Sequence, residues 1–383
     1  MGLSIFSYVT LEPTTTHSLL GAAKAAKQDE YYTQWIDIER EMNSYVEYDP
    51  DVFRDKVVLL PCDDPEWSNF TKFFALHFAD YGIKKLISTS YAANSNPAGE
   101  FYQPTPFETA EPKYDTTKTR ANGKKFVLEP KDLNGDGAID IDDLRWEYLA
   151  GDGDFRSKEV TALRDEADIV ITNPPFSLFR AFVVWLIDGN KKFAIIANQN
   201  AITYTEVFPL IRENRVWLGK GFPRNIAHFR TPYTPHGRWI EQEGSDVVRI
   251  PGVQWFTNID HGRRHEPLQL MTKAENIKFS KHKEVRGVGY PTYDNFDAID
   301  VPFVDAIPSD HEGMMGVPIT FLAKYNPDQF RIVGSLNNGI HGDELGAVKT
   351  EIETKGKVMM WNGPVVNRKP LYKRIVIQRK DAV

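Results

Sequence analysis

Residues 168–180 read Asp-Ile-Val-Ile-Thr-Asn-Pro-Pro-Phe-Ser-Leu-Phe-Arg. A short apolar, β-branched run, Ile169 to Thr172, ends directly in Asn173-Pro174-Pro175-Phe176. Such a run closed by turn residues predicts a buried strand. Asn-Pro and Pro-Pro are also ordinary strand-ending punctuation. Their chemistry, however, suits methylation of an exocyclic amine. The amino nitrogen of adenine or cytosine is a poor nucleophile because its lone pair is delocalised into the ring. Two acceptors that take its N–H hydrogens turn the lone pair toward a methyl donor. Asn173 supplies one acceptor through its side-chain amide and Pro174 the other through its carbonyl. Pro174 and Pro175 fix φ and stiffen the turn, and Phe176 offers a face on which a base stacks.

Outward from this stretch, the pattern is that of a parallel α/β sheet. Val57 to Leu60 predicts a strand that ends at Pro61-Cys62-Asp63-Asp64-Pro65. A helix is expected over 68–80, with Ser68 as N-cap and Gly82 as its stop, then a strand over 85–89. Helices are expected over about 157–167 and 177–188, and a strand over 193–197 ending in Asn198-Gln199-Asn200. Strands near 214–218 and 250–257 complete the sheet, and residues 14–48 read mainly as helix. The stretch from about 92 to 150 reads as an insertion that begins with a long polar loop. From about 276 the composition shifts toward Asp, Pro, Gly and Tyr. The expectation is an α/β fold with a mixed, mostly parallel sheet in a domain spanning 1–275, followed by a lobe over 276–383.

The 383 residues are 41% hydrophobic and 26% charged, the balance of a globular chain. Cys62 is the single cysteine, so no intrachain disulfide forms, which fits a cytoplasmic protein. No apolar run reaches membrane-spanning length, and Met1 to Thr10 lacks the pattern of a secretory signal. The net charge of −7 argues against a small histone-like binder but leaves room for a local basic surface. Residues 366–383 provide one: Arg368, Lys369, Lys373, Arg374, Arg379 and Lys380 against Asp381.

Ligands of open α/β sheets bind beyond the carboxyl ends of the strands. Three polar clusters are expected there: Pro61–Asp64, Asn173–Phe176 and Asn198–Asn200. A fourth, Gly151-Asp152-Gly153-Asp154-Phe155, immediately precedes a helix, where Asp152 and Asp154 also fit simple capping.

Together with Ser68-Asn69-Phe70, Ala167–Arg180, Asn198–Tyr204, Trp255–Asn258 and Met315–Ile319, these clusters resemble the EcoRI-type adenine-specific DNA methyltransferases over roughly residues 28–380. The resemblance implies a Rossmann-like sheet that uses S-adenosylmethionine to methylate adenine N6 in double-stranded DNA, with the target base flipped out. It implies that residues 276–383 recognise the target and suggests GAATTC as the word; a monomer is expected, with a cognate restriction endonuclease acting on the same site as the candidate partner. It places Tyr31, Tyr32 and Thr33 near the donor's methionine end and Pro61, Cys62, Asp63 and Asp64 beneath the donor. Ser88 or Thr89 would approach the ribose, and Asp152, Gly153, Asp154 and Phe155 the donor's adenine. Pro61-Cys62-Asp63-Asp64-Pro65 departs from the Gly-rich turn of most such enzymes. DNA contacts are expected from Asn198, Asn200, Arg224, Arg230, Arg238, Arg263, Arg264 and the terminal basic cluster.

Residues 132–143, Asp-Leu-Asn-Gly-Asp-Gly-Ala-Ile-Asp-Ile-Asp-Asp, match an EF-hand loop. Asp132, Asn134, Asp136, Ala138 (through its carbonyl), Asp140 and Asp143 are the expected ligands of a structural calcium. Asp143 at the closing position, in place of Glu, weakens bidentate closure. Competing readings are methylation of cytosine N4 or of another amine or amide, and a catalytically silent DNA- or calcium-binding module.

Overall fold

The computed structural model describes residues 32–64, 68–92, 109, 112–230, 247–354 and 356–380. Its centre is an eight-stranded sheet. In chain order the strands are β1 (Val57–Leu60), β2 (Lys85–Ser90), β3 (Lys124–Leu128), β4 (Arg145–Tyr148), β5 (Ile169–Thr172), β6 (Lys192–Asn198), β7 (Trp217–Leu218) and β8 (Val253–Thr257). In space they run β4-β3-β2-β1-β5-β6-β8-β7. The inner four, β2, β1, β5 and β6, are parallel, and the pairs on either side are antiparallel.

Every residue of β1 and β5 is buried, because both faces of the parallel core are covered. Alternation along the strands sorts the side chains. Val58, Leu60, Ile169, Ile171, Ala194 and Ile196 face α1 (Trp35–Val46) and α2 (Asn69–Leu76). Leu59, Val170, Phe193, Ile195 and Ala197 face α3 (Lys158–Glu166) and α4 (Phe179–Asp188). Ser68 caps α2 as expected, its hydroxyl accepting from the Phe70 amide at 3.1 Å. The helix ends at Leu76, short of the expected residue 80.

Two expectations change. The stretch read as an insertion contributes β3 and β4, which extend the central sheet rather than looping away from it. Their signal is weak because the strands are short and carry charged residues, Lys124 and Lys125 in one and Arg145 and Glu147 in the other. Lys124 is nonetheless buried, its ammonium 5.5 Å from the Trp146 ring centre. The strand expected over 250–257 is two strands, Val247–Pro251 and β8, broken at Gly252 with φ +71°. Val247–Pro251 joins Ile226–Arg230 and Tyr32–Thr33 in a separate three-stranded sheet.

Farther along the chain, Ile299–Asp300, Met315–Pro318, Phe330–Leu336 and Arg374–Arg379 form a four-stranded sheet. Its Met315, Val317, Ile332, Ile375 and Ile377 share one continuous core with α4 and β6. Among the described residues, no helix is long and apolar enough to cross a membrane.

Candidate active site

β1 connects through α2 to β2 on one side, and β5 connects through α4 to β6 on the other. The direction of winding therefore reverses between β1 and β5, which are parallel neighbours with Val58 opposite Ile169. A crevice opens beyond the carboxyl ends of strands at such a reversal. Pro61–Asp64 follows β1 and Asn173–Phe176 follows β5, so the two clusters stand side by side. The Thr172 hydroxyl donates to the Pro61 carbonyl at 2.7 Å and staples the two strand ends together.

The loop after β1 is held from several directions. Cys62 adopts φ +64°, the left-handed region, where a non-glycine residue is strained. The Asp63 amide donates to the Thr89 carbonyl at 2.7 Å, the Cys62 amide to Thr89 Oγ1 at 3.4 Å, and the Ser88 hydroxyl to the Asp63 carbonyl. Ser88 and Thr89 are buried and spend their side chains on this loop, not on an outward-facing ribose position.

Asp63 is only 4% exposed. One carboxylate oxygen accepts from the Ser68 hydroxyl at 2.6 Å, and the other is buried with no hydrogen-bond partner among the described residues. Burial pushes its carboxyl up to about 7; the hydrogen bond from Ser68 opposes the rise and Asp64 adds to it. A carboxylate in this state is short of positive charge.

The third wall is Gly151–Phe155. The Ala92 amide donates to the Asp152 carbonyl at 2.8 Å, which brings this loop against the end of β2. Gly153, with φ +89°, has no room for a side chain: a Cβ there would lie 2.3 Å from the Ser90 carbonyl oxygen. The Asp152 carboxylate accepts from the Asp154 amide at 3.1 Å. Asp154 accepts from the Arg156 amide at 2.8 Å and from Arg156 Nε at 2.9 Å, and the hydrogen bonds from Arg156 hold its carboxyl below the ordinary range. The Phe155 ring is fully buried against Phe182 and Trp185, at 4.9 and 5.5 Å, so this residue offers the crevice only its backbone. Tyr91, which sequence reading passed over, lies between the two walls. Burial raises its phenol well above the ordinary value, and Cys62 and Asp154 raise it further. Its position just past the carboxyl end of β2 is the signal that marks it.

Asn173 is half-buried, with its side-chain oxygen shielded from solvent. The Phe176 ring stands nearly perpendicular to Phe229, at 6.4 Å and 78°. Phe229 pairs with Thr33 in the three-stranded sheet, and Asn69 at the start of α2 donates to the Thr33 carbonyl at 2.8 Å. Tyr32 and Thr33 are thereby drawn toward the same edge; Tyr31 lies outside the described residues.

The expected DNA-contacting residues divide. Asn198 accepts from the Asn200 amide at 2.9 Å and so shapes the turn after β6. Arg224 and Arg230 are exposed, and Arg263 is half-exposed with one bond to the Lys220 carbonyl at 2.9 Å. Arg264 is buried, 3.6 Å from the Trp217 ring centre and bonded to Asp260 at 3.0 Å and Asn214 at 2.6 Å, so it braces the fold instead of facing a duplex. Arg238 lies outside the described residues.

The calcium expectation gains no support. Among the described residues, no three His, Cys, Asp or Glu side chains gather to hold a metal ion. The carboxylates of 132–143 serve their own loop. Asp132 accepts from the Gly135 and Gly137 amides, Asn134 from Asp136, Asp136 from Ala138, Asp140 from Asp142, and Asp143 from Leu133 and Asp140. Ala138 is thus tied into the same turn by its amide.

Residues 19–380 match the family model described as adenine-specific methyltransferase EcoRI. The chain is 42% identical over 323 residues to the Type II methyltransferase M.EcoRI of Escherichia coli, covering 83% of this chain and 89% of the relative. It is 34% identical over 369 residues to the Type II methyltransferase M.MpnI of Mycoplasma pneumoniae, covering 94% and 98%. A third relative, the Type II methyltransferase M.MgeORF184P of Mycoplasma genitalium, is 32% identical with the same coverage. No solved structure matches the chain significantly. With the strand-end clusters joined at one crevice and nearly the whole chain matched, the protein belongs to the EcoRI family of adenine-specific methyltransferases.

Proposed function

We propose that this protein transfers a methyl group from S-adenosylmethionine to N6 of an adenine swung out of double-stranded DNA, with Asn173–Phe176 holding the base. The observation that carries this reading is the placement of the Asn-Pro-Pro-Phe turn beside the Asp63 loop, where the sheet reverses its winding. The doubly wound order of β2, β1, β5 and β6 supports a Rossmann-like fold.

The residues fit the donor. S-adenosylmethionine brings an ammonium and a sulfonium, and the buried, under-compensated carboxylate of Asp63 is the partner for positive charge. Gly153, with no Cβ, lets this loop seat directly on the backbone of Ser90 and Tyr91, so that the Asp154 and Phe155 backbone borders the crevice as the polar edge for a flat ring. When bound, the donor supplies an electrophilic methyl carbon. Asn173 and the Pro174 carbonyl take the two N6 hydrogens and aim the lone pair, while Phe176 stacks on the ring. The new C–N bond forms as the C–S bond breaks, and the sulfur keeps the electron pair as a thioether. The methylated ammonium is acidic and gives its proton to water, so no strong base is required. Positioning carries the rate. Opening the duplex costs a few kcal/mol, met by the contacts to the flipped base.

In this reading residues 276–383 recognise the target sequence, the protein acts as a cytoplasmic monomer, and a restriction endonuclease shares its site. The test is nucleoside analysis by mass spectrometry of duplex DNA incubated with the protein and labelled donor. Label in N6-methyladenine is expected. Label in N4-methylcytosine, or none, overturns the reading.

A further inference from the structure

The terminal basic cluster does not act as one patch. Arg374 is bound to the buried carboxylate of Asp300 at 2.8 Å and holds the four-stranded sheet together. Its neighbour Lys373 is different. The Lys373 ammonium is half-buried and donates to the Thr203 hydroxyl at 2.9 Å, and no carboxylate among the described residues lies within 4.0 Å of it. Desolvation by burial lowers its pKa. A lysine taken partly out of water without a counter-charge costs stability, unless an anion arrives.

Its location says which anion. Thr203 ends the turn that begins at Asn198, past the carboxyl end of β6. β6 is the parallel neighbour of β5, which carries Asn173–Phe176. Arg180, in the first turn of the helix that follows that motif, lies over the Tyr204 ring at 4.2 Å, and its outer edge reaches Glu206 at 3.5 Å. His341 also bonds the Thr203 carbonyl, at 3.0 Å, and helps to fix the turn. The Lys373 ammonium therefore sits against the loop that adjoins the proposed base-holding loop, at the junction with the C-terminal sheet.

We infer that Lys373, held by Thr203, is the anchor for a backbone phosphate of the DNA strand that carries the target adenine. The inference rests on the function proposed above. The anchor fixes the strand while the base leaves the stack. It contributes charge, not sequence reading.

The test uses the full-length protein and fluorescent duplexes of cognate and scrambled sequence, with affinity measured across a salt series. In Lys373→Gln, which keeps a donor for Thr203 and removes the charge, the slope of log affinity against log salt is expected to shrink by about 1, with equal loss on both duplexes. Lys373→Arg is expected to restore the slope. Donor binding, measured by calorimetry, is expected to match wild type in both. An unchanged slope in Lys373→Gln overturns the inference, whether or not the melting midpoint drops, since a purely structural lysine moves stability alone. Loss of slope in Lys373→Arg as well also overturns it, because charge would then not be the cause. Wild-type protein that binds duplex with a steep salt slope yet makes no N6-methyladenine defeats the proposed function, while the slopes still judge Lys373.

Discussion

Two acidic loops in this protein have opposite physical histories. Residues 132–143 carry five aspartates and match a metal-binding pattern, yet each carboxylate ligand in the match is satisfied by amides of its own loop. Residues 62–64 match no common pattern, yet Asp63 is buried, held by Ser68 from the next helix, and left with one oxygen unmatched among the described residues. Each carboxylate ligand of the first loop already accepts hydrogen bonds within that loop. The second lacks a positive charge, and it lacks it at the one place where the sheet geometry opens a crevice. A pattern of residues thus says less about binding than whether the fold leaves those residues satisfied.

Three experiments break or sharpen that contrast. The largest effect is expected at the wall facing Asp63. Gly153→Ala places a methyl group against the Ser90 carbonyl and strains a positive φ. That strain costs about 1–3 kcal/mol of stability, and by unseating the loop from β2 it is expected to abolish measurable donor binding in calorimetry; wild-type binding would mean that the seat of this loop does not shape the donor site.

Asp63→Asn comes next. Removing a charged hydrogen-bonding partner is expected to weaken donor binding by about 10–100-fold. The pH dependence has a definite sign. Folding raises the Asp63 carboxyl from its ordinary 3.8 to about 7, so its contribution to stability is full below 3.8 and is lost as pH rises to about 7. Wild type is therefore expected to melt below Asp63→Asn at pH 8, with the gap closing toward pH 5. A cationic donor favours the ionised carboxylate, so donor binding near pH 6 is expected to release protons in wild type and not in Asp63→Asn. Equal proton release in both would separate Asp63 from the donor.

The smallest effect is expected in the other loop. Asp132→Ala is expected to shift the melting midpoint by about 2 °C or less, and added calcium to leave the wild-type midpoint unchanged. A clear rise with calcium, lost in Asp132→Ala, would erase the contrast.

Much of the fold was legible because its signals are local. The apolar run Ile169–Thr172 closed by Asn173-Pro174, the Ser68 cap and the Val57–Leu60 run each state their own structure. β3 and β4 were harder, since a buried Lys124 reads as surface until Trp146 is known to cover it. The strand break at Gly252 depends on which sheet each half joins, a long-range matter. In the site, the sequence placed the clusters but not their division of labour. That Thr89 braces the loop, that the Phe155 ring belongs to the core, and that Tyr91 stands between the walls all follow from contacts distant along the chain. Arg264 and Lys373 looked alike as basic residues; Asp260 and Trp217 stand beside one, while the other has, among the described residues, no carboxylate within 4.0 Å, and that contrast tells them apart.

The central claim is that Asn173 aims the amino group of a flipped adenine at the donor. Single-turnover methyl transfer by Asn173→Ala, on saturating donor and duplex, tests it most directly. A fall of about 10²–10³-fold in rate, with donor affinity unchanged, is the expected result; transfer at the wild-type rate would contradict it.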